Sequence, residues 1–273
     1  IGHDDQFVIR HNAKLPRFGA RARGFARQTS AVATYRDTGV VLRTQKLGES
    51  DRIVTVLTKS HGRKRIVARG VRKTSSRIGA RLEPFSLVDV QCYEGRTLDS
   101  VNQVESLASY GADLSQDYQR WTAGQAMLET AERLTSEEGE PAVQQFLLLV
   151  GGLRALANND HESGLILDSF LLRSLAVAGW APPFDDCARC GDPGPHRAFH
   201  PASGGVLCVQ CRVPGYSLPS EGTLDLMGAL LAGDWDVADS STARQRRDAA
   251  GITSAYLQWH LERHLRSLPY VER

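Results

Sequence analysis

Short runs of β-branched and aromatic residues, separated by turn residues, dominate the chain from about residue 35 to residue 104. The runs lie at 40–42, 53–58, 66–68, 85–93 and 98–104. Short strands at a spacing of roughly ten residues, with turn signals between them, are typical of a small sandwich or barrel. Five such strands fit an OB-like barrel, although spacing alone does not separate this fold from an SH3-like barrel.

Helical periodicity replaces this pattern in most of the remaining chain. Apolar residues recur at helical spacing in the segments 113–134, 141–158, 161–178, 219–231 and 241–268. We expect Val143 and Leu147 in the second segment, and Tyr256 and Trp259 in the last, to face a core. No stretch approaches the roughly 18 uncharged apolar residues of a membrane span, and the start lacks the pattern of a secretory signal. We therefore predict no membrane partner.

Basic and acidic residues are distributed unevenly along the chain. The 273 residues are 41% hydrophobic and 23% charged, with a formal net charge of +2, which is ordinary for a globular protein. Residues 1–82 contain 19 Lys and Arg against 5 Asp and Glu, whereas residues 83–273 contain 14 against 26. Such asymmetry indicates a nucleic-acid or other anionic partner for the first part of the chain.

Residues 1–33 are basic and show no sustained helical or strand periodicity of apolar residues. The basic residues of this segment are Arg10, Lys14, Arg17, Arg21, Arg23 and Arg27. Glycine, alanine and scattered cations predict a disordered extension. A basic arm that follows a phosphate backbone is the functional alternative.

The strand region carries the largest surplus of cations. Between residues 36 and 81 there are 13 Lys and Arg against 3 Asp and Glu, and the segment 70–81 resembles a mobile basic loop. Such a surface attracts phosphates without reading bases, whereas an ordinary solvated face is the alternative. Aromatic residues for base stacking are sparse in this region. The candidate nucleic-acid contacts are Arg43, Lys46, Arg52, Arg63, Lys64, Arg65, Arg69, Arg72, Lys73, Arg77 and Arg81.

Four cysteines follow the spacing C-x2-C-x17-C-x2-C. They are Cys187, Cys190, Cys208 and Cys211. Two such pairs converge on a tetrahedral Zn²⁺, so we predict one structural zinc ion. A redox pair is the weaker alternative, because a thioredoxin-like site has one pair in a βαβ context. Catalytic zinc keeps an open coordination position, which four thiolates do not leave.

Other catalytic patterns do not occur. The chain contains no phosphate-binding P-loop, no nucleophile elbow and no dinucleotide-binding fingerprint. His260 and His264 lie four residues apart, but Glu262 is one position too late for a metalloprotease motif. We expect these histidines to lie on a solvated helix face, and we predict that the protein is not an enzyme.

The combination of motifs resembles one known family. The segments that carry the resemblance are YRD at 35–37, VVLR at 40–43, KLGESDRIVT at 46–55, HG at 61–62, ARGVRK at 68–73, GARLEP at 79–84 and the two CxxC pairs. Over about residues 35–268 the chain resembles the RecO family of bacterial recombination mediators, and it is most similar to actinobacterial sequences. Residues 1–33 depart from the family, which generally lacks such a segment.

This resemblance implies a function as well as a fold. It implies an OB fold, a helical domain and a zinc module, and binding to single- and double-stranded DNA. It also implies annealing of complementary strands and, together with RecR, exchange of single-strand-binding protein for RecA, in the cytoplasm at the nucleoid. The cations that match the family motifs are Arg43, Lys46, Arg52, Arg69, Arg72, Lys73 and Arg81; by the same resemblance the four cysteines hold the zinc.

We therefore expect an α+β fold in which an N-terminal OB-fold β-barrel precedes a helical domain that carries a four-cysteine zinc-ribbon module. The expected segments are the extension 1–33, the DNA-binding barrel 34–106, helical segments 107–184 and 215–273, and the zinc module 185–214. Two other functions fit the residues: a zinc-ribbon protein that binds RNA or the ribosome, and a zinc-dependent nucleic-acid enzyme.

Overall fold

The computed structural model describes residues 33–72, 76–261 and 264–272, and of Arg77 the backbone only. Residues Ala33–Arg273 form one compact unit. The extension expected at 1–33 lies, apart from Ala33, outside the described residues. Lys73 and the side chain of Arg77, two of the candidate DNA contacts, also lie outside them.

Five strands close into a barrel at the start of this unit. They are β1 (Thr34–Leu47), β2 (Asp51–Thr58), β3 (Gly62–Ala68), β4 (Ser86–Tyr93) and β5 (Asp99–Ser109). The strand order is β1-β2-β3-β5-β4, β1 pairs with β4, and only the β3–β5 pair is parallel. This is the OB arrangement, so the predicted barrel is confirmed and the SH3-like alternative is wrong. The last strand runs past residue 106, where we expected the barrel to end.

A short helix, α1 (Arg77–Arg81), packs against the barrel core between β3 and β4. Ser76 caps it by accepting a hydrogen bond from the backbone N–H of Gly79. Val71 and Leu82 are buried among the inward side chains of the barrel, and Ile78 packs against them. The prediction of a mobile loop over 70–81 is therefore wrong for this helix. Three apolar residues among many cations anchor the segment in the barrel core.

The rest of the unit is mainly helical. The helices are α2 (Gly111–Leu114), α3 (Tyr118–Leu134), α4 (Val143–Asn158), α5 (Ser163–Val177), α6 (Thr223–Ala232), α7 (Trp235–Asp239) and α8 (Ala243–Leu261), followed by a 3₁₀ turn at Leu268–Tyr270. Helix α5 is central, because it packs against α3, α4, α6 and α8. Within the described ranges, none of these helices is both long and apolar enough to cross a membrane.

The helical core continues onto the outer face of the barrel. Leu42 and Leu57 of the barrel belong to the same buried cluster as Met127 of α3. Phe85, which has a φ of 70°, packs its ring 4.9 Å from the ring of Trp121. Gly124 allows this approach, since a Cβ there would lie 2.9 Å from the Phe85 ring. The helices therefore cover part of the barrel surface.

Some helices bury a different side from the one that the sequence predicts. Trp259 is 56% exposed instead of lying in the core, and Val143 and Leu147 are exposed as well. His260, expected on a solvated face, stacks on Trp180 with ring centroids 4.7 Å apart. Burial lowers the pKa of His260. Residues 264–267 lie outside any helix, so the last helix is shorter than predicted.

The four-cysteine module is inserted between α5 and α6. It contains a hairpin of β6 (Ala198–His200) and β7 (Gly205–Leu207), with 3₁₀ turns at Pro201–Ser203 and Val209–Cys211. Phe199 packs edge-on against Tyr256 of α8, and the Tyr256 hydroxyl lies 3.2 Å from the carbonyl oxygen of Gly204. These contacts attach the module to the helical part. The observed fold is α+β, as predicted.

Candidate nucleic-acid interface and metal centre

Cations from two segments meet at the end of the barrel that contains the β1–β2 turn. Lys46 pairs with Arg52 across β1 and β2, and Arg52 pairs with Ala68 of β3, directly before Arg69. Arg72 joins them, since its backbone N–H donates to the carbonyl of Ser50. We call Lys46, Arg52, Arg69 and Arg72 the basic rim. Like charges on directly opposed strand residues destabilise a sheet, so sheet stability does not explain the Lys46–Arg52 pair.

The rim has a defined scaffold. Asp51 accepts hydrogen bonds from the backbone N–H of Gly70 and from the Ser50 hydroxyl, at 2.8 and 2.9 Å. The Arg72 guanidinium donates to the carbonyl oxygen of Gly48 at 2.9 Å. These bonds tie the β1–β2 turn to the segment that follows β3. The backbone beneath the rim is therefore held in place.

The rim cations differ in their availability to a ligand. Arg52 forms an ion pair with Glu83. Lys46, Arg69 and Arg72 are exposed, and among the described residues none of the three forms an ion pair. Arg81, also exposed, donates to the carbonyl oxygen of Val104 at 2.7 Å. The rim therefore presents positive charge that the described residues leave unpaired.

Three other candidate cations face the helical part instead. Arg43 pairs with Glu132 of α3 at 2.8 Å. Arg63 donates to the backbone carbonyl oxygens of Glu132 and Ser136. Arg65 lies 3.9 Å from a carboxylate oxygen of Glu138. The candidate cations are therefore divided between the basic rim and the side of the barrel that faces the helices.

Lys64 is separated from the rim as well. Its Nζ lies 3.5 Å from the carboxylate of Asp99 and 5.4 Å from the centre of the Tyr35 ring. The Tyr35 hydroxyl donates to the same Asp99 carboxylate at 2.7 Å. Lys64 thus takes part in a local polar network within the barrel, away from the cations of the rim.

The four cysteines of the module converge. The Sγ atoms of Cys187, Cys190, Cys208 and Cys211 all lie within 4.8 Å of one another, and those of Cys190 and Cys208 are 3.7 Å apart. A tetrahedral zinc site with Zn–S bonds of about 2.3 Å requires sulfur atoms about 3.8 Å apart. The arrangement therefore fits a tetrahedral metal ion, and these cysteines could hold one.

Two tight turns produce this geometry. In the first, the Gly191 N–H donates to the carbonyl of Cys187 at 2.8 Å, and Gly191 has a φ of +73°. In the second, the N–H of Cys211 donates to the carbonyl of Cys208 at 3.1 Å. Left-handed backbone favours glycine, and Gly191 directly follows the first CxxC pair.

The electrostatics of the cluster favour a bound cation. Burial raises the pKa of Cys187, but hydrogen bonds from the backbone of Cys208, Arg189 and Cys190 outweigh it and lower the pKa to about 6. The neighbouring thiols of Cys190 and Cys208 raise the pKa of Cys211 to about 12. Four thiolates side by side repel one another, and a divalent metal ion removes that repulsion.

Models of known protein families match both the barrel and the helical part of the chain. A family model described as Recombination protein O N terminal matches residues 32–110, and one described as Recombination protein O C terminal matches residues 115–269. A DNA repair protein RecO of Streptomyces griseus is 61% identical over 248 residues, which are 89% of this chain and 100% of the relative.

Two further relatives carry the same name. The protein of Nocardioides sp. is 59% identical over 242 residues, 88% of this chain and 99% of its own. That of Thermobifida fusca is 57% identical over 242 residues, 89% of this chain and 100% of its own. Matches of this extent cover the barrel, the helices and the cysteine module alike. The chain belongs to the RecO family.

Proposed function

We propose that this chain is a non-enzymatic mediator of DNA repair and homologous recombination. It binds single- and double-stranded DNA and anneals complementary strands. Together with RecR it helps to replace single-strand-binding protein by RecA. Membership of the RecO family supports the assignment to repair and recombination.

The observation that carries the proposal is the basic rim. Two DNA strands repel each other, and a surface that neutralises the phosphates of both raises their rate of encounter. Lys46, Arg69 and Arg72 offer that charge from a backbone fixed by hydrogen bonds. Annealing needs no bond chemistry, and cations that contact phosphates leave base edges free to pair.

The four-cysteine site has a structural role in this proposal. We assign it one Zn²⁺, held by Cys187, Cys190, Cys208 and Cys211, because four cysteine ligands at these distances are typical of structural zinc. The ion joins the two turns of a module with a small apolar core of its own. A closed set of four thiolates leaves no coordination position for a substrate, which supports a non-enzymatic role.

The remaining assignments follow from the family. We propose action in the cytoplasm at the nucleoid, with RecR and single-strand-binding protein as protein partners and RecA as an indirect one. We also retain the division into a DNA-binding barrel, a helical domain in two parts and a zinc module as a proposal. The candidate cations outside the rim remain proposed DNA contacts.

An annealing assay on complementary oligonucleotides tests the function. We expect the full chain to accelerate annealing without nucleotide hydrolysis, both on free strands and on strands coated with single-strand-binding protein. Binding should weaken steeply with salt. A chain that prefers RNA to single-stranded DNA of equal sequence would favour the RNA-binding alternative. Metal-dependent turnover of a nucleic-acid substrate would favour the enzyme alternative.

A further inference from the structure

A large groove lies between the barrel and the helical part. Its volume is about 1330 Å³, and its walls come from β1, α3 and the segment 264–270. Tyr118 and Tyr270 line it, and at 56% and 65% exposed they are the most exposed of the seven tyrosines. Trp121, partly buried against Phe85, also lines it. Both rings are more exposed than Tyr93, which at 40% is the most exposed tyrosine of the barrel strands.

The segment that carries Tyr270 is anchored. The Glu129 carboxylate accepts hydrogen bonds from the backbone N–H groups of Arg266 and Ser267 and from the Ser267 hydroxyl, at 2.9, 2.9 and 2.6 Å. Leu265 and Leu268 are buried in the helical core. An exposed ring on an anchored segment loses little further freedom when a flat ligand stacks on it.

The groove is also positively charged. Four arginines and two glutamates line it: Arg43, Arg63, Arg133, Arg266, Glu129 and Glu132. Arg43 remains 42% exposed in its ion pair with Glu132. The side chain of Arg266 is exposed and forms no ion pair with any described residue. The Nε of Arg63 is buried and has no hydrogen-bond partner among the described residues.

We propose that this groove binds unpaired single-stranded DNA, with bases stacked on Tyr118 and Tyr270 and phosphates near Arg43 and Arg266. The proposal rests on the proposed DNA-binding function and adds a site that distinguishes single strands from duplex. Aromatic rings beside guanidinium groups form a stacking platform for any base. In a duplex the base faces are occupied by their neighbours, so a duplex gains nothing from these rings.

The size and polarity of the groove favour an extended polymer. Pockets for small molecules usually measure about 300–1,000 Å³ and are mainly apolar. This groove is larger and combines charged side chains with aromatic rings. The rim and the groove then have different roles: the rim attracts both strands through phosphates, and the groove retains a strand that is not yet paired.

Fluorescence anisotropy with labelled oligothymidine and with a labelled duplex tests this site on the full chain. In the double variant Tyr118→Leu/Tyr270→Leu, single-stranded binding should weaken about 5-fold or more, since each stacked base contributes measurably. Duplex affinity should be unchanged. The salt dependence of single-stranded binding should also be unchanged, because no cation is removed.

Matched variants separate stacking from other effects. Tyr118→Phe/Tyr270→Phe keeps both rings and should bind like the unaltered chain. Trp259→Leu removes a ring that is also 56% exposed but lies outside the groove, and should have no effect. Equal loss on duplex and single strand, or no loss on either, would overturn the groove assignment alone. An unaltered chain that binds neither DNA would instead overturn the proposed function.

Photocrosslinking of the unaltered chain gives an answer that does not depend on the folding of a variant. Oligonucleotides carrying 5-iodouracil should cross-link to Tyr118 or Tyr270. Cross-links confined to the residues of the basic rim would contradict the proposal.

Discussion

Asp37 shows how one carboxylate fixes a turn of the barrel. The buried Asp37 side chain accepts hydrogen bonds from the backbone N–H groups of Thr38, Ser60 and His61, at 2.8, 2.8 and 3.0 Å. The Nδ1 of His61 lies 2.7 Å from the same carboxylate. Burial alone would raise the pKa of Asp37, but these hydrogen bonds outweigh it, and the pKa is lowered.

The substitution Asp37→Asn should destabilise the fold by about 1–3 kcal/mol at neutral pH, because a buried charged acceptor is lost. The lowered pKa also fixes the sign of a pH effect. The carboxylate contributes its full stability above the unfolded value near pH 4, and the contribution disappears as the pH falls through the lower folded pKa. Urea unfolding of both proteins from pH 3 to 7 measures this. A free-energy difference that stays constant over that range would contradict the account.

Single residues differ in how well the sequence predicts their roles. The four cysteines were predictable, because metal-binding spacing is local along the chain. The positions of Arg43, Arg63 and Arg65 were not. The partner of Arg43, Glu132, is 89 residues away in sequence, and only the packing of α3 on the barrel brings the two together. The excess of Lys and Arg in the sequence therefore predicts more unpaired positive surface than the folded chain has.

At the scale of elements, periodicity predicted which segments are helical more reliably than which side of each helix is buried. All five predicted helical segments contain helix, yet Trp259 is exposed and His260 is stacked on Trp180. The buried side of α8 depends on α5, α6 and the cysteine module, which pack on it from distant parts of the chain. Helix α1 was missed because only one turn forms, and its apolar anchors are widely spaced.

The cysteine module gives an element-scale prediction. The unaltered chain should contain close to one equivalent of zinc, and Cys208→Ser should lose it, with a lower Tm, because three ligands hold the ion poorly. Metal analysis by mass spectrometry and thermal unfolding check both effects. Cys92→Ser is the control, since Cys92 is buried in the barrel core, and it should keep its zinc. Full retention of zinc in Cys208→Ser would remove the metal assignment.

At the scale of the whole molecule, the net charge of +2 conceals two surfaces of different character. Acidic side chains of the helical part form ion pairs with Arg43 and Arg65, and both guanidinium groups stay partly exposed. The rim keeps Lys46, Arg69 and Arg72 exposed. The distribution of charge, and not its total, determines where a polyanion binds. The sequence shows which part of the chain is basic. The fold determines which of its cations stay exposed and unpaired, so that they can bind a polyanion.

Strand annealing by rim variants tests the central claim most directly. In Lys46→Glu/Arg69→Glu, Arg72 is left intact because it supports the β1–β2 turn. The control Arg154→Glu/Arg247→Glu makes the same change in net charge at exposed positions of α4 and α8. We expect the rim variant to anneal complementary oligonucleotides at least about tenfold more slowly at low salt, with the control close to the unaltered chain. Unchanged annealing by the rim variant, or an equal loss in the control, would contradict the assignment of the basic rim.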